Sequence, residues 1–184
     1  MLKIAVILGS TRPGRIGEGV ARWVTQLAGA RKDAQFELVD VADYNLPLLD
    51  ESLPAGYGQY EKAHTKKWAA KIGEFDGYVF VTGEYNHSVP GALKNAMDFV
   101  GAEWNNKAAG IVSYGSAGGA RAAEHLRQIL GELQVADVRA QVMLSLFTDF
   151  EDFSKFAPDA RHVPEVEAML DQLVAWAGAL KTLR

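Results

Sequence analysis

Residues 9–17 hold three glycines, two hydroxyl side chains and two arginines, directly after an apolar run. Glycines let backbone amides converge on an anion at the N-terminus of a following helix. Ser10 and Thr11 can donate hydrogen bonds, and Arg12 or Arg15 can bind two phosphate oxygens at once. This first loop is therefore predicted to bind a phosphate. The alternative is a tight turn capped by Ser10, with both arginines in solvent.

The spacing within the first loop narrows the kind of phosphate. Gly9 and Gly14 have the separation of a P-loop, but Arg15 and Ile16 stand where that motif has Lys and Ser or Thr. Without the hydroxyl that binds Mg²⁺, nucleotide hydrolysis is not expected. The dinucleotide fingerprint G-x-G-x-x-G also fails, because Thr11 occupies the second glycine position. A terminal monophosphate, such as that of FMN, is the best remaining candidate.

Two further loops contain residues suited to a planar ligand. In the second loop, Gly83–Ser88, Tyr85 can pack on a flat heterocycle and Asn86 can bond its polar edges. The alternative is a turn at Asn86, with Tyr85 as a partly buried wall. In the third loop, Ser113–Gly119, glycines allow close backbone approach to a ring. Arg121, just beyond it, is a candidate contact for cofactor or substrate or, alternatively, a solvated side chain.

Alternating strand and helix patterns position these loops. Strands are predicted at Ile4–Leu8, Gln35–Val39, Tyr78–Val81, Ala108–Tyr114 and Val138–Leu144. Helices are predicted near Gly17–Ala28 and from about Tyr60 to Gly73. A third has Pro90 in its first turn and an apolar face from Leu93 to Val100, a fourth carries the apolar residues from Ala123 to Leu133, and a closing helix with Pro164 at its start carries those from Val166 to Leu180. A loop is predicted at Asp43–Gly58 and a polar connection at Asp149–Arg161. The pattern predicts one α/β domain over residues 1–184: a flavodoxin-like, doubly wound, five-stranded parallel sheet of order 2-1-3-4-5 with helices on both faces. All three loops leave its carboxyl edge, where ligands bind.

Composition excludes several classes of protein. The chain has no cysteine, which excludes disulfides, thiol catalysis and cysteine-ligated metal centres, so redox chemistry would need a bound cofactor. A net charge of −4 without any basic run argues against nucleic-acid binding. The four histidines include no pair at helical spacing, so no metal site is expected. Apolar runs are too short for a signal peptide or a membrane span, which predicts a cytoplasmic protein without a membrane partner.

Longer motifs follow one another through the chain. They are Gly9–Arg12, Leu46–Glu51, Glu84–Asp98 and Ser113–Arg121. In these stretches the sequence resembles the NADPH-dependent FMN reductase family, which also includes quinone, azo-dye and chromate reductases. The long second-loop match is the most specific. One departure is Gly83, which stands where the family usually has proline, and greater mobility of that loop is expected from it.

The resemblance implies FMN bound non-covalently, with NADPH as co-substrate and a quinone, azo compound, metal oxyanion or free flavin as small acceptor. The phosphate would lie on Ser10, Arg12 and the amides of Arg15, Ile16 and Gly17. The ring would lie between Glu84, Tyr85 and Asn86 on one side and Ser113, Tyr114, Gly115, Ser116 and Gly118 on the other. The flavin carries the chemistry, so no catalytic side chain is predicted, and Tyr85 and Arg121 are candidate substrate contacts only.

Subunit pairing is also implied by the resemblance, as a homodimer or homotetramer. The aromatic residues Phe99 and Trp104 are expected near the site and near that interface. The alternative functions are a flavodoxin-type electron carrier and a non-catalytic FMN-binding protein. Carriers of that type build the phosphate loop from hydroxyl residues without arginine and are usually far more acidic, which favours the reductase.

Overall fold

A five-stranded parallel sheet lies at the centre of the structure, a computed structural model that describes residues 1–184. Its strands are β1 (Leu2–Leu8), β2 (Ala34–Asp40), β3 (Gly77–Gly83), β4 (Lys107–Gly115) and β5 (Val135–Ser145). They are hydrogen-bonded in the order β2-β1-β3-β4-β5, which confirms the predicted flavodoxin-like topology. The central strands β3 and β4 are buried along their whole length, as their continuous apolar sequences predict.

Five helices cover the two faces of the sheet. They are α1 (Gly17–Gly29), α2 (Ala63–Gly73), α3 (Gly91–Asp98), α4 (Ala120–Glu132) and α5 (His162–Leu180). Helices α1 and α5 bury one apolar cluster against the sheet, and α2, α3 and α4 bury the other. Each strand contributes alternate side chains to the two clusters, because successive residues point to opposite faces. None of the helices has the length and apolar character that a membrane span requires.

The segment between β2 and α2 is mostly irregular, as predicted, with short 3-10 turns at Val41–Tyr44 and Ala55–Tyr57. Helix α2 begins at Ala63 and not at Tyr60. The Glu51 carboxylate accepts hydrogen bonds from the amides of residues 61 and 62, at 2.8 and 2.9 Å. Those amides are therefore held by a side chain outside the helix, which starts only after them.

The prediction of a polar connection at Asp149–Arg161 is wrong, because the segment contains regular structure and buried residues. It contains an antiparallel hairpin of β6 (Phe150–Glu151) and β7 (Lys155–Phe156), and both Asp149 and Phe150 are buried. Burial of the Asp149 carboxylate is tolerated because it accepts hydrogen bonds from four groups. The donors are the amides of Ser145 and Asp159, the Thr148 hydroxyl and the His162 ring.

The expectation that Phe99 and Trp104 lie near the site and a subunit interface is also wrong. Both side chains are completely buried in the cluster under α2 and α3. The Trp104 ring packs edge-on against Trp68 and Tyr78, with centroids 6.3 and 4.9 Å apart. Their aromatic surface is therefore consumed by the core and cannot form an interface between chains.

Candidate active site

Three loops meet at the carboxyl edge of the sheet, as the topology requires. The Gly9 amide donates to the Val81 carbonyl at 3.1 Å, and the Ser10 Oγ lies 2.6 Å from the Tyr85 hydroxyl. These two contacts join the first loop to β3 and to the second loop. Between the loops lies a cleft of about 150 Å³. It is lined by Arg12, Ile16, Glu84, Tyr85, Tyr114, Gly115, Leu146 and Phe153.

The two arginines of the first loop have different environments. The Arg15 guanidinium forms a two-point ion pair with Asp40 and also donates to the Ser10 carbonyl at 2.6 Å. The hydrogen bond to Asp40 raises the pKa of Arg15 further. The Arg12 side chain is exposed, lines the cleft and makes no hydrogen bond or ion pair within the chain. Of the two guanidinium groups, that of Arg12 is therefore the one available to an anion.

Helix α1 begins at the cleft with open backbone donors. The Arg15 amide already donates to the Arg12 carbonyl at 3.1 Å, whereas the amides of Ile16 and Gly17 have no acceptor within the chain. Unsatisfied amides at a helix N-terminus attract an anion through both hydrogen bonding and the helix dipole. Of the three amides predicted to bind the phosphate, those of Ile16 and Gly17 are therefore open in the structure, and that of Arg15 closes the loop.

The Tyr114 hydroxyl tests whether a phosphate group fits here. It is buried, it has no hydrogen-bond partner within 3.5 Å, and it lies so close to α1 that a Cβ at Gly17 would overlap it. The Ser10 hydroxyl is a nearby polar group, but it is already bonded to Tyr85. Burial raises the pKa of Tyr114 to about 12, so the hydroxyl stays protonated and remains a donor at neutral pH. A buried donor without an acceptor is costly unless a ligand supplies one. The residues present therefore fit a bound oxyanion such as the phosphate of FMN.

The second loop forms a tight turn across Tyr85–Ser88. The amides and carbonyls of its end residues exchange hydrogen bonds at 2.9 and 3.2 Å, and Asn86 and His87 adopt left-handed backbone with φ of +49° and +75°. Asn is well suited to that conformation. The turn and the half-buried Tyr85 match the alternative geometry weighed from sequence. The Asn86 side chain is exposed at the tip and unpaired, so it remains available to a ring edge.

Glu84 connects the second loop to helix α4. Its carboxylate pairs with the Arg121 guanidinium and accepts from the Arg121 amide at 3.1 Å. Burial would raise the pKa of Glu84, but the Arg121 ion pair and the α4 amides hold it below its usual value. The carboxylate is therefore charged at neutral pH and positions α4. Arg121, predicted as a candidate substrate contact, is paired with Glu84 within the chain.

The Gly83 position, where the family usually has proline, is packed tightly. A Cβ at Gly83 would lie 3.0 Å from two atoms of the Tyr114 ring. Glycine thus provides the room through which Tyr114 reaches the first loop. Gly83 itself is buried inside β3.

The third loop brings backbone close to the cleft. The Ser113 hydroxyl donates to the Gly118 carbonyl at 2.7 Å, and Gly118 and Gly119 both have positive φ. A Cβ at Gly119 would lie 2.7 Å from the Tyr114 amide nitrogen, so only glycine permits this approach. Ser116 is exposed on the loop, and Gly115 lines the cleft.

Sequence reasoning did not find Leu146 and Phe153, which complete the cleft from the β5–β6 connection and the hairpin. Phe153 lies in a segment whose composition reads as polar connection. The signal that could have revealed an ordered segment is the recurrence of phenylalanine at every third position, 150, 153 and 156.

An open sheet of order β2-β1-β3-β4-β5, with open helix amides and a cleft at its switch point, defines a flavodoxin-like protein. Residues 2–149 match the model of the NADPH-dependent FMN reductase family. The chain belongs to this family and is an NAD(P)H-dependent oxidoreductase that uses FMN.

Three known proteins illustrate the similarity. An NAD(P)H-dependent FMN reductase of a Nectria species is 40% identical over 158 residues, which cover 81% of this chain and 79% of the relative. A quinone reductase of Escherichia coli K12 is 38% identical over 135 residues, covering 70% and 69%. The solved structure of an NAD(P)H:acceptor flavoenzyme from Paracoccus denitrificans has a TM-score of 0.74 at 20% identity, covering 97% of this chain and 98% of that one.

Proposed function

We propose that the cleft holds FMN non-covalently, with residues 1–184 forming one domain around it. The phosphate contacts come from the Ser10 region, the Arg12 guanidinium, the amides of Ile16 and Gly17, and the Tyr114 hydroxyl. The observation that carries this proposal is the unpartnered Tyr114 hydroxyl beside the open end of α1. Arg15 has a positioning role, because Asp40 and Ser10 occupy its guanidinium.

The ring contacts are assigned to the second and third loops. Glu84, Tyr85, Asn86, Ser113, Gly115, Ser116 and Gly118 flank this part of the cleft. Exposed Asn86 is free to bond a polar ring edge, and the glycine backbone allows close approach. Glu84 contributes mainly by holding α4 through Arg121.

When bound, FMN would supply the two-electron chemistry between NADPH and a small acceptor. The chain's residues bind, orient and shield. Apart from Arg12, the titratable side chains of the cleft have partners, since Glu84 pairs with Arg121 and the Tyr85 hydroxyl with Ser10, and the Tyr114 hydroxyl is assigned to the phosphate. The proposed acceptor is a quinone, with azo compounds, metal oxyanions and free flavin as substrates of the same open site. We also propose a cytoplasmic location, where reduced nicotinamide nucleotide is supplied.

We expect the purified protein to release FMN, and no FAD, on heating, because the cleft offers one anion cradle and no dinucleotide motif.

Initial rates with varied NADPH and a soluble quinone should give parallel double-reciprocal lines, since both substrates use one exposed flavin face. Intersecting lines would contradict the shared face. FMN bound without any NADPH oxidation would indicate the electron carrier or non-catalytic binding protein instead.

Subunit pairing is proposed as a homodimer, with a homotetramer as the larger alternative. The segment between β2 and α2 exposes four large apolar side chains that a monomer would leave in water: Leu48, Leu49, Leu53 and Tyr57. We expect sedimentation at micromolar concentration to give at least twice the 20.0 kDa chain mass. Leu48→Glu should shift the equilibrium toward monomer, whereas Leu183→Glu, a control at another exposed leucine, should not. A 20.0 kDa species alone would contradict the dimer.

A further inference from the structure

The hairpin tip has an unusual backbone. Asp152 and Phe153 both adopt left-handed conformation, with φ of +49° and +55°, and the Ser154 amide closes the turn on the Glu151 carbonyl at 3.0 Å. Tight hairpins with this geometry normally take Asn or Asp followed by Gly. An aromatic side chain at the second position is strained, and such strain persists only where the surrounding structure enforces it.

The root of the hairpin supplies that enforcement. The buried Asp149 carboxylate links β5 to the start of α5. The backbone carbonyl of Asp149 also accepts a hydrogen bond from the Ala157 amide, at 2.9 Å. The Phe150 ring packs on Phe156 at 5.2 Å, and Phe156 packs edge-on against Trp23 of α1 at 5.5 Å. The hairpin is therefore fixed against the helix that begins at the anion cradle.

The side chain of this strained residue lies at the proposed cofactor site. Phe153 lines the cleft, and six of its other seven lining residues are ones already assigned to FMN. The residue is nevertheless 60% exposed, and the one aromatic ring that packs on it is that of Phe147, edge-on with centroids 5.6 Å apart. A large apolar ring is thus held in a strained position with most of its surface uncovered beside the cleft.

We infer that Phe153 is a flavin-contacting residue, whose ring packs on the isoalloxazine and completes the cleft from the hairpin side. The hairpin lies beyond residues 2–149, the part that matches the family model. The inference rests on the proposed FMN site and adds a contact that the three loops do not provide. Contact with the ring system, rather than with the phosphate, follows from the apolar character of the side chain.

The test compares Phe153→Gly with the unchanged protein in titrations of apoprotein with FMN and with riboflavin. Glycine relieves the backbone strain, so the apoprotein should melt at the same temperature or higher. Both flavins should bind more weakly by a similar factor, about 2- to 12-fold, because they share the isoalloxazine. Phe153→Tyr should keep most of the affinity. Trp176→Ala removes a partly exposed aromatic ring on α5, away from the cleft, and should change neither flavin's affinity.

The outcomes distinguish failure of the Phe153 contact from failure of the proposed FMN site. If the unchanged protein binds no FMN, the proposed function fails. If it binds FMN and Phe153→Gly binds both flavins equally well, Phe153 makes no flavin contact and the inference is overturned. Loss confined to FMN would also overturn it, because it would place the effect at the phosphate.

Discussion

Replacing Arg12 by alanine is expected to weaken FMN binding by about 10- to 150-fold and to leave riboflavin binding unchanged. Arg12 lines the cleft and has no partner within the chain, whereas Arg15 is held by Asp40. Losing one charge-assisted hydrogen bond costs roughly 1.5–3 kcal/mol of binding free energy. Riboflavin has no phosphate for Arg12 to contact, so its binding loses nothing. The measurement is quenching of flavin fluorescence on titration into each apoprotein at fixed, moderate salt.

Two further variants make the Arg12 prediction specific. Arg12→Lys should recover only part of the loss, because an ammonium cannot make the planar two-point contact of a guanidinium. Arg139→Ala removes the same charge from an exposed position on β5 and should bind FMN normally. If the Arg12→Ala variant binds FMN as tightly as the unchanged protein, Arg12 does not contact the phosphate, and that role falls to the backbone amides and Tyr114.

Local patterns were sufficient to predict the fold. Strand and helix periods, with glycines at the strand ends, appear within short windows, and the connection rules for parallel sheets leave few topologies. The three loops could be identified as one site for the same reason, because every parallel strand ends at the same edge.

Pairings between distant residues could not be predicted. Arg12 and Arg15 look equivalent in the sequence, and they differ only because Asp40 pairs beside Leu8 in the sheet and lies within reach of Arg15. Phe99 and Trp104 were misplaced because an aromatic pair after a helix fits a core as well as an interface. Such assignments depend on packing of elements far apart in the chain.

The hairpin shows a second limit. The charged residues of Asp149–Arg161 predicted a polar connection, but Asp149, just before the hairpin, is buried with four donors and so holds the segment together. A carboxylate that receives this many hydrogen bonds costs little to bury. Whether the donors exist is decided by the fold, and only the structure could reveal Phe153 at the cleft.

Replacing Tyr114 by phenylalanine is expected to change stability and binding in opposite directions. The apoprotein should become more stable, by about 1–3 kcal/mol, because a buried hydroxyl without a partner is removed. FMN binding should weaken by about 10- to 150-fold, because the phosphate loses a buried donor, while riboflavin affinity stays the same. Thermal unfolding of the apoprotein and flavin titration measure the two effects separately.

Tyr78→Phe is the matched control. The Tyr78 hydroxyl is also buried, but it accepts from the Lys107 ammonium at 2.9 Å and lies within 3.1 Å of the Ile72 carbonyl, on the other side of the core. Its removal should lower apoprotein stability and leave FMN affinity unchanged. If Tyr114→Phe lowers stability as Tyr78→Phe does, its hydroxyl has a structural role and is not reserved for the cofactor. If both Tyr114 and Arg12 contact one phosphate, the double variant should lose less FMN affinity than the two single losses combined.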